Sequence, residues 1–144
     1  MTKFTVNVHN AENQHQVMLR TGDSEHSIVV PPKSTGFGSS MNGGEALLLA
    51  LATCYCNDIY REARKQGITV RQVTVEVDAD QDGVDGHIME NIVYHVSVEA
   101  DALPEAIENL IRMTDTVAEI HNTLRQGTSV TLGKVAAHSS ASIQ

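Results

Sequence analysis

The chain has 144 residues, the usual size of one domain, and a formal net charge of -8. That charge argues against a nucleic-acid partner, because phosphate binding needs clustered Lys and Arg, and the acidic residues here are scattered over what reads as a solvated surface. No stretch is apolar for the roughly 18 residues of a membrane span, and Met-Thr-Lys-Phe-Thr-Val carries no signal-peptide apolar region, so a cytoplasmic location is the expectation.

With only 3% aromatic residues, the core must be built from Val, Ile, Leu and Ala. The first third reads as strands. Phe4, Val6 and Val8 alternate with polar residues, residues 10–13 make a turn, and residues 17–20 form a second strand. Thr21-Gly22-Asp23 is another turn. A third strand over residues 26–30 stops at Pro31-Pro32. The pattern is an antiparallel meander. Residues 33–41 are a Gly/Ser-rich connection.

A long helix then starts at Asn42. Glu45 lies three residues on, where its carboxylate can reach back to the cap amide. The helix runs to residue 65 or 66, with Gly67 as its stop. Its first half is apolar on nearly all sides and should be buried. The half over residues 58–65 is amphipathic, with Ile59, Tyr60 and Ala63 as its apolar positions. A small monomer cannot easily cover so apolar a helix, and this predicts a homodimer.

Two more strands alternate through Val73, Val75 and Val77 and through Ile92, Tyr94, Val96 and Val98. The acidic loop Asp80-Gln-Asp-Gly-Val-Asp-Gly between them lacks the final Glu of a calcium loop. Pro104 opens a second helix with a stripe of Ile107, Leu110, Ile111 and Thr114. A last strand is predicted over residues 129–135, before a frayed Ser/Ala tail. The expected order is βββαββαβ, in one α+β domain over residues 1–144, with no repeat and no linker.

Cys54 and Cys56 are the only cysteines, so no disulfide framework exists and both should be free thiols in a reducing compartment. The seven His show no short helical spacing of a zinc site, and Cys54-X-Cys56 lacks a second ligand pair, so no metal and no cofactor is expected. A nucleophilic Cys54 needs a lowered pKa. It lies about nine residues into the helix, where the N-terminal dipole has faded. Asp58, one turn on, opposes the thiolate, and Arg61 on the same face is placed to pair with Asp58. Local sequence therefore leaves Cys54 open between buried packing and catalysis.

The run Gly44-Glu45-Ala-Leu-Leu-Leu-Ala-Leu-Ala-Thr-Cys54, then Arg61-Glu-Ala-Arg-Lys-Gln-Gly67, and later Asn122-Thr-Leu-Arg-Gln-Gly127, resembles the OsmC/Ohr family. The resemblance implies an OsmC-like α+β fold, with the central helix buried in an intertwined homodimer. It also implies thiol-dependent reduction of organic hydroperoxides: one Cys attacks the peroxide, and a second closes a disulfide that a dithiol reopens. By the same resemblance Cys54 is the first Cys, Glu45 matches the acid that orients an Arg over the thiol, and Arg20 is the Arg of the N-terminal strand region. The register of Glu45 is one residue off. On one continuous helix it lies about 180° from Cys54, and the capping role accounts for it equally.

The position of the second Cys falls on Ala118. Cys56 is a poor substitute, since residues two apart point about 200° apart around a helix and disulfide geometry needs converging Cβ atoms. His121, near the vacated position, is a candidate pocket residue. Besides an interaction protein with no small-molecule site, two functions stay open. One is a single-Cys peroxidase that uses an external thiol reductant; the other is a non-catalytic protein that binds a small apolar ligand at the dimer interface.

Overall fold

A computed structural model describes residues 1–81, 83 and 86–140. The meander is present as β1 (Phe4–Ala11), β2 (Gln14–Thr21) and β3 (Ser24–Ile28), antiparallel in the order β1-β2-β3. Each strand but the third is longer than the apolar pattern alone indicated, because the ladder continues through polar residues such as Gln14 and Thr21 once Val8 faces Val17 and Phe4 faces Thr21. The Gly-rich connection is tied back to the first hairpin turn. Asn13 N–H donates to the Gly36 carbonyl at 2.6 Å, the Gly36 N–H to Asn13 Oδ1 at 3.0 Å, and the Gly38 N–H to Asn10 Oδ1 at 3.0 Å.

The long helix is α1 (Gly43–Lys65). Its start is the reciprocal cap expected from the sequence: Glu45 N–H donates to Asn42 Oδ1 at 2.8 Å, and Asn42 N–H to Glu45 Oε1 at 3.0 Å. It ends on Gly67 at φ +67°, a left-handed position that lets the Ile68 N–H return to the Ala63 carbonyl at 3.0 Å and turns Ile68 onto the core.

The hairpin β4 (Val70–Gln81) and β5 (Met89–Ala100) follows, with Val73 opposite Val98 and Val75 opposite Val96. Residues 82, 84 and 85 of the acidic loop lie outside the described residues. Then come α2 (Pro104–Val117), with Pro at its first position, and α3 (Glu119–Arg125). Tyr55, Ile59, Ala63 and Leu110 form the core, against which Ile68, Val70, Val73, Val75, Tyr94, Val96, Val98 and Ile111 pack. This is one face of the hairpin covered by two helices, an α+β arrangement.

Three expectations need correction. The order is βββαββαα: residues 129–135 form no strand, and a short helix α3 stands before them. A strand needs a ladder, and within one protomer this segment finds none, leaving Val130, Leu132 and Val135 exposed. The first half of α1 is not the buried half. Leu47 and Leu48 are half-buried and Leu49 is exposed, whereas the fully buried positions of the helix begin only at Leu51. The amphipathic half also divides differently. Ile59 and Ala63 are buried, but so are Asp58 and Glu62, while Tyr60 is partly exposed. The two acids tolerate burial because Arg61 reaches Asp58 at 2.9 Å and Lys65 reaches Glu62 at 3.0 Å.

Candidate active site

Cys54 lies half-buried on α1, one turn after Leu51 on the covered side of the helix. Its Sγ–H donates to Asp58 Oδ2 at 3.5 Å. The other oxygen of that carboxylate, Oδ1, is held by Arg61 Nη1 at 2.9 Å, and Arg61 Nε also donates to Glu62 Oε1 at 3.3 Å. Asp58 is only 7% exposed, so the i, i+4 contact is fixed from both sides.

Burial pushes the Cys54 thiol above its ordinary range, and the Asp58 charge and hydrogen bond push the same way. The backbone of Ile120 and Glu119, at the start of α3, pulls it down. The net direction is up, so the sulfur is a thiol near neutral pH. This agrees with the local sequence argument that Asp58 disfavours the thiolate.

The same contact shows what stands across from the sulfur. Ala118, directly before Glu119, is the residue at which α2 ends and α3 begins, and it is fully buried. The position that the resemblance assigned to a second sulfur therefore holds a methyl group in the core, directly before the backbone that acts on the Cys54 thiol. Cys56 is also a free, half-buried thiol raised by burial, two residues along the helix from Cys54.

His121 is 5% exposed, on α3. Its ring meets Tyr94 edge-on at 4.6 Å between centroids and Tyr55 at 6.1 Å, and neither ring nitrogen has a hydrogen-bond partner among the described residues. A cavity of about 110 Å³ lies beside it, lined by Leu51, Ile92, Tyr94, His121, Leu124 and Arg125. The surrounding network is polar and closed. Tyr94 Oη donates to Asp115 Oδ1, Arg125 Nη2 pairs with the same oxygen at 2.6 Å, and Tyr55 Oη donates to the Ile111 carbonyl at 2.8 Å.

Of this group only His121 is a candidate pocket residue on sequence grounds. The signal for the rest was scarcity: the chain has three Tyr, and two of them sit at core-facing positions of α1 and β5, where a buried phenol needs a partner.

Burial lowers the His121 pKa from its ordinary 6.5, assisted by Arg125 and opposed by Asp115 and Asp58. The unfolded chain then binds the extra proton first, so the stability that neutral His121 contributes is fully present above about pH 6.5 and is lost as pH falls through the lowered folded value. Thermal melts are expected to show this loss on the acid side of neutrality. His121→Phe should flatten that limb; an unchanged slope in the variant would assign it to another group.

The structure places the other two sequence candidates away from Cys54. Glu45 closes the N-terminus of α1, nine residues and roughly 13 Å along the axis from Cys54, and lines a separate pocket with Leu48, His87 and Met89. Arg20 is exposed on β2, opposite Thr5 and Glu25. Within one protomer, neither joins the thiol. Among the described residues no group of three or more His, Cys, Asp or Glu could hold a metal ion, and no helix is long and apolar enough to cross a membrane.

Residues 36–133 match the OsmC-like protein family. Solved structures share the fold. An OsmC-like protein from Mycoplasma pneumoniae superposes with a TM-score of 0.57 at 22% identity, over 86% of this chain and 89% of that one. An OsmC-like protein of unknown function from Vibrio cholerae gives 0.55 at 16%, over 85% and 94%. An OsmC-like hydroperoxide resistance protein from Jannaschia sp. CCS1 gives 0.52 at 15%, over 92% and 94%. No curated protein matches. With the family pattern covering more than half its length, from the Gly-rich connection to the segment after α3, the chain belongs to the OsmC-like family.

Proposed function

We propose that this protein is a cytoplasmic, homodimeric thiol peroxidase that reduces organic hydroperoxides through Cys54 alone. The observation that carries the reading is the Cys54 thiol itself, half-buried on α1 against the start of α3. A structural neighbour named as a hydroperoxide resistance protein supports the substrate class. In the first step the sulfur takes the distal peroxide oxygen: Cys–SH and R–O–O–H give Cys–SOH and R–OH. With Ala118 at the position of the second sulfur, no internal sulfur closes a disulfide. An external thiol attacks the sulfenic acid and releases water. A second thiol then cleaves the mixed disulfide, returning Cys–SH and an oxidised donor.

The dimer is supported by apolar surface that one protomer leaves open: Phe4, Val6 and Val8 on the meander, Leu49 on α1, and Val130 and Leu132 after α3. Arg20 and Glu45, which lie away from the thiol in this chain, belong to the proposed site only across such a dimer.

The test is consumption of tert-butyl hydroperoxide with a small monothiol or dithiol donor. The parent protein is expected to turn over repeatedly, and Cys54→Ser to fall to the uncatalysed rate. Equal consumption by both would sink the reading. A parent inert with every donor would favour the second reading, a ligand-binding protein of this fold, which the upward-shifted thiol supports.

A further inference from the structure

The proposed chemistry leaves one proton unplaced. A thiol that is not ionised must lose its proton as it attacks, and the alkoxide that leaves must gain one. Among the described residues, the side chain within hydrogen-bond reach of Sγ is Asp58, at 3.5 Å from Oδ2. The carboxylate is divided between two tasks, with Oδ1 on Arg61 and Oδ2 on the thiol. Arg61 is in turn anchored on Glu62, which also holds Lys65 at 3.0 Å. Nucleophile, base and orienting cation thus lie in one line along α1, at positions 54, 58 and 61, in the order that an activated nucleophile requires.

We propose that Asp58 is the general base of Cys54: Oδ2 takes the thiol proton as sulfur attacks the distal oxygen, and returns it to the alkoxide as the O–O bond breaks. The balance closes without another reactant, since the proton that leaves sulfur ends on R–OH and the sulfur is oxidised to Cys–SOH. The assignment rests on the reading of Cys54 as the peroxide-attacking thiol. Other groups face the pair. Arg61 lies on the same helix, and α3 brings the His121 ring and the Glu119 and Ile120 backbone, with Arg125 and Asp115 acting on His121.

The bland alternative is that Asp58 only packs α1 and holds the thiol protonated. The two roles separate because the alkoxide expelled from the peroxide needs the proton that Asp58 returns, whereas the iodide expelled in alkylation needs none. In Asp58→Asn the opposing charge is gone. Cys54 should be alkylated by iodoacetamide faster at a given pH, while hydroperoxide reduction falls by about 100-fold, the scale of a lost general base. Faster alkylation together with equal or faster peroxide reduction would overturn the assignment.

Should Asp58→Asn fail to fold, the parent protein decides by its pH profile. A general-base mechanism gives a nearly flat kcat/KM between about pH 6 and 8, whereas reaction through free thiolate rises about tenfold per pH unit. A unit slope therefore overturns the proposal. A parent that shows no turnover removes the Cys54 reading itself, and the two failures remain distinct.

Discussion

Replacing Ile59 with Ala is expected to cost about 2–5 kcal/mol, the range for emptying a fully buried aliphatic site. Ile59 has no exposed surface, and it sits between Tyr55 and Ala63 on the face of α1 that meets Leu110 and the valines of β4 and β5. Those neighbours come from a hairpin and a helix that are themselves hydrogen-bonded, so they cannot collapse into the space. Domains of this kind hold only about 5–15 kcal/mol in total. A thermal melt should therefore fall by several degrees, at about 2–4 °C per kcal/mol for a chain near this size. A shift under one degree would mean that Ile59 is not the centre of the core. The result bears on function because the same helix turn carries Asp58 and sets the direction in which Cys54 points.

Installing a sulfur opposite Cys54 is the second large effect. Ala118→Cys places a thiol at the break between α2 and α3, next to the Glu119 and Ile120 backbone that faces Cys54. The site is fully buried, so the added sulfur must be fitted in, at an overpacking cost of about 1–3 kcal/mol. After one equivalent of organic hydroperoxide, the variant is expected to lose the Cys54 sulfenic acid to a 54–118 disulfide, with Cys56 left free. In the parent the sulfenic acid should persist until an external thiol arrives, and dimedone should label it. Thiol titration and peptide mapping report the difference. An oxidised variant that still carries the dimedone-reactive acid would show that the two Cβ atoms do not converge as a disulfide needs.

Much of this protein is local in origin, and that part was readable from the chain. Asn42 and Glu45 close a cap three residues apart, Gly67 takes the left-handed position that stops the helix, and Pro104 starts α2. Val73, Val75 and Val77 alternate because β4 has one covered face. Asp58 and Arg61 find one another because they are three residues apart on one helix. Long-range facts were less legible. The strand predicted over residues 129–135 has an alternating pattern, yet a pattern does not create a partner edge, and in the protomer none is offered. The first half of α1 looks like core by composition and is left half-covered, since composition does not say which end of a helix the sheet reaches.

For the site, the chain alone pointed to the nucleophile candidate, its unfavourable neighbour Asp58, the cation that pairs with Asp58, and the absence of sulfur at position 118. The Asp58 and Arg61 relations depend on spacing along the helix, whereas the role of Cys54 and the missing sulfur at position 118 follow from the family resemblance. Which groups surround that line follows from how the elements pack together. Their packing brought the Glu119 and Ile120 backbone against the thiol, buried His121 between Tyr55 and Tyr94, linked Tyr94 to Arg125 through Asp115, and set Glu45 and Arg20 apart from Cys54 within one chain. The reason is one of range. Helix periodicity fixes neighbours within a turn or two, whereas the contacts of Tyr55 with Tyr94 and of Tyr94 with His121 join residues 39 and 27 positions apart, and only the packing of the core sets which of them meet.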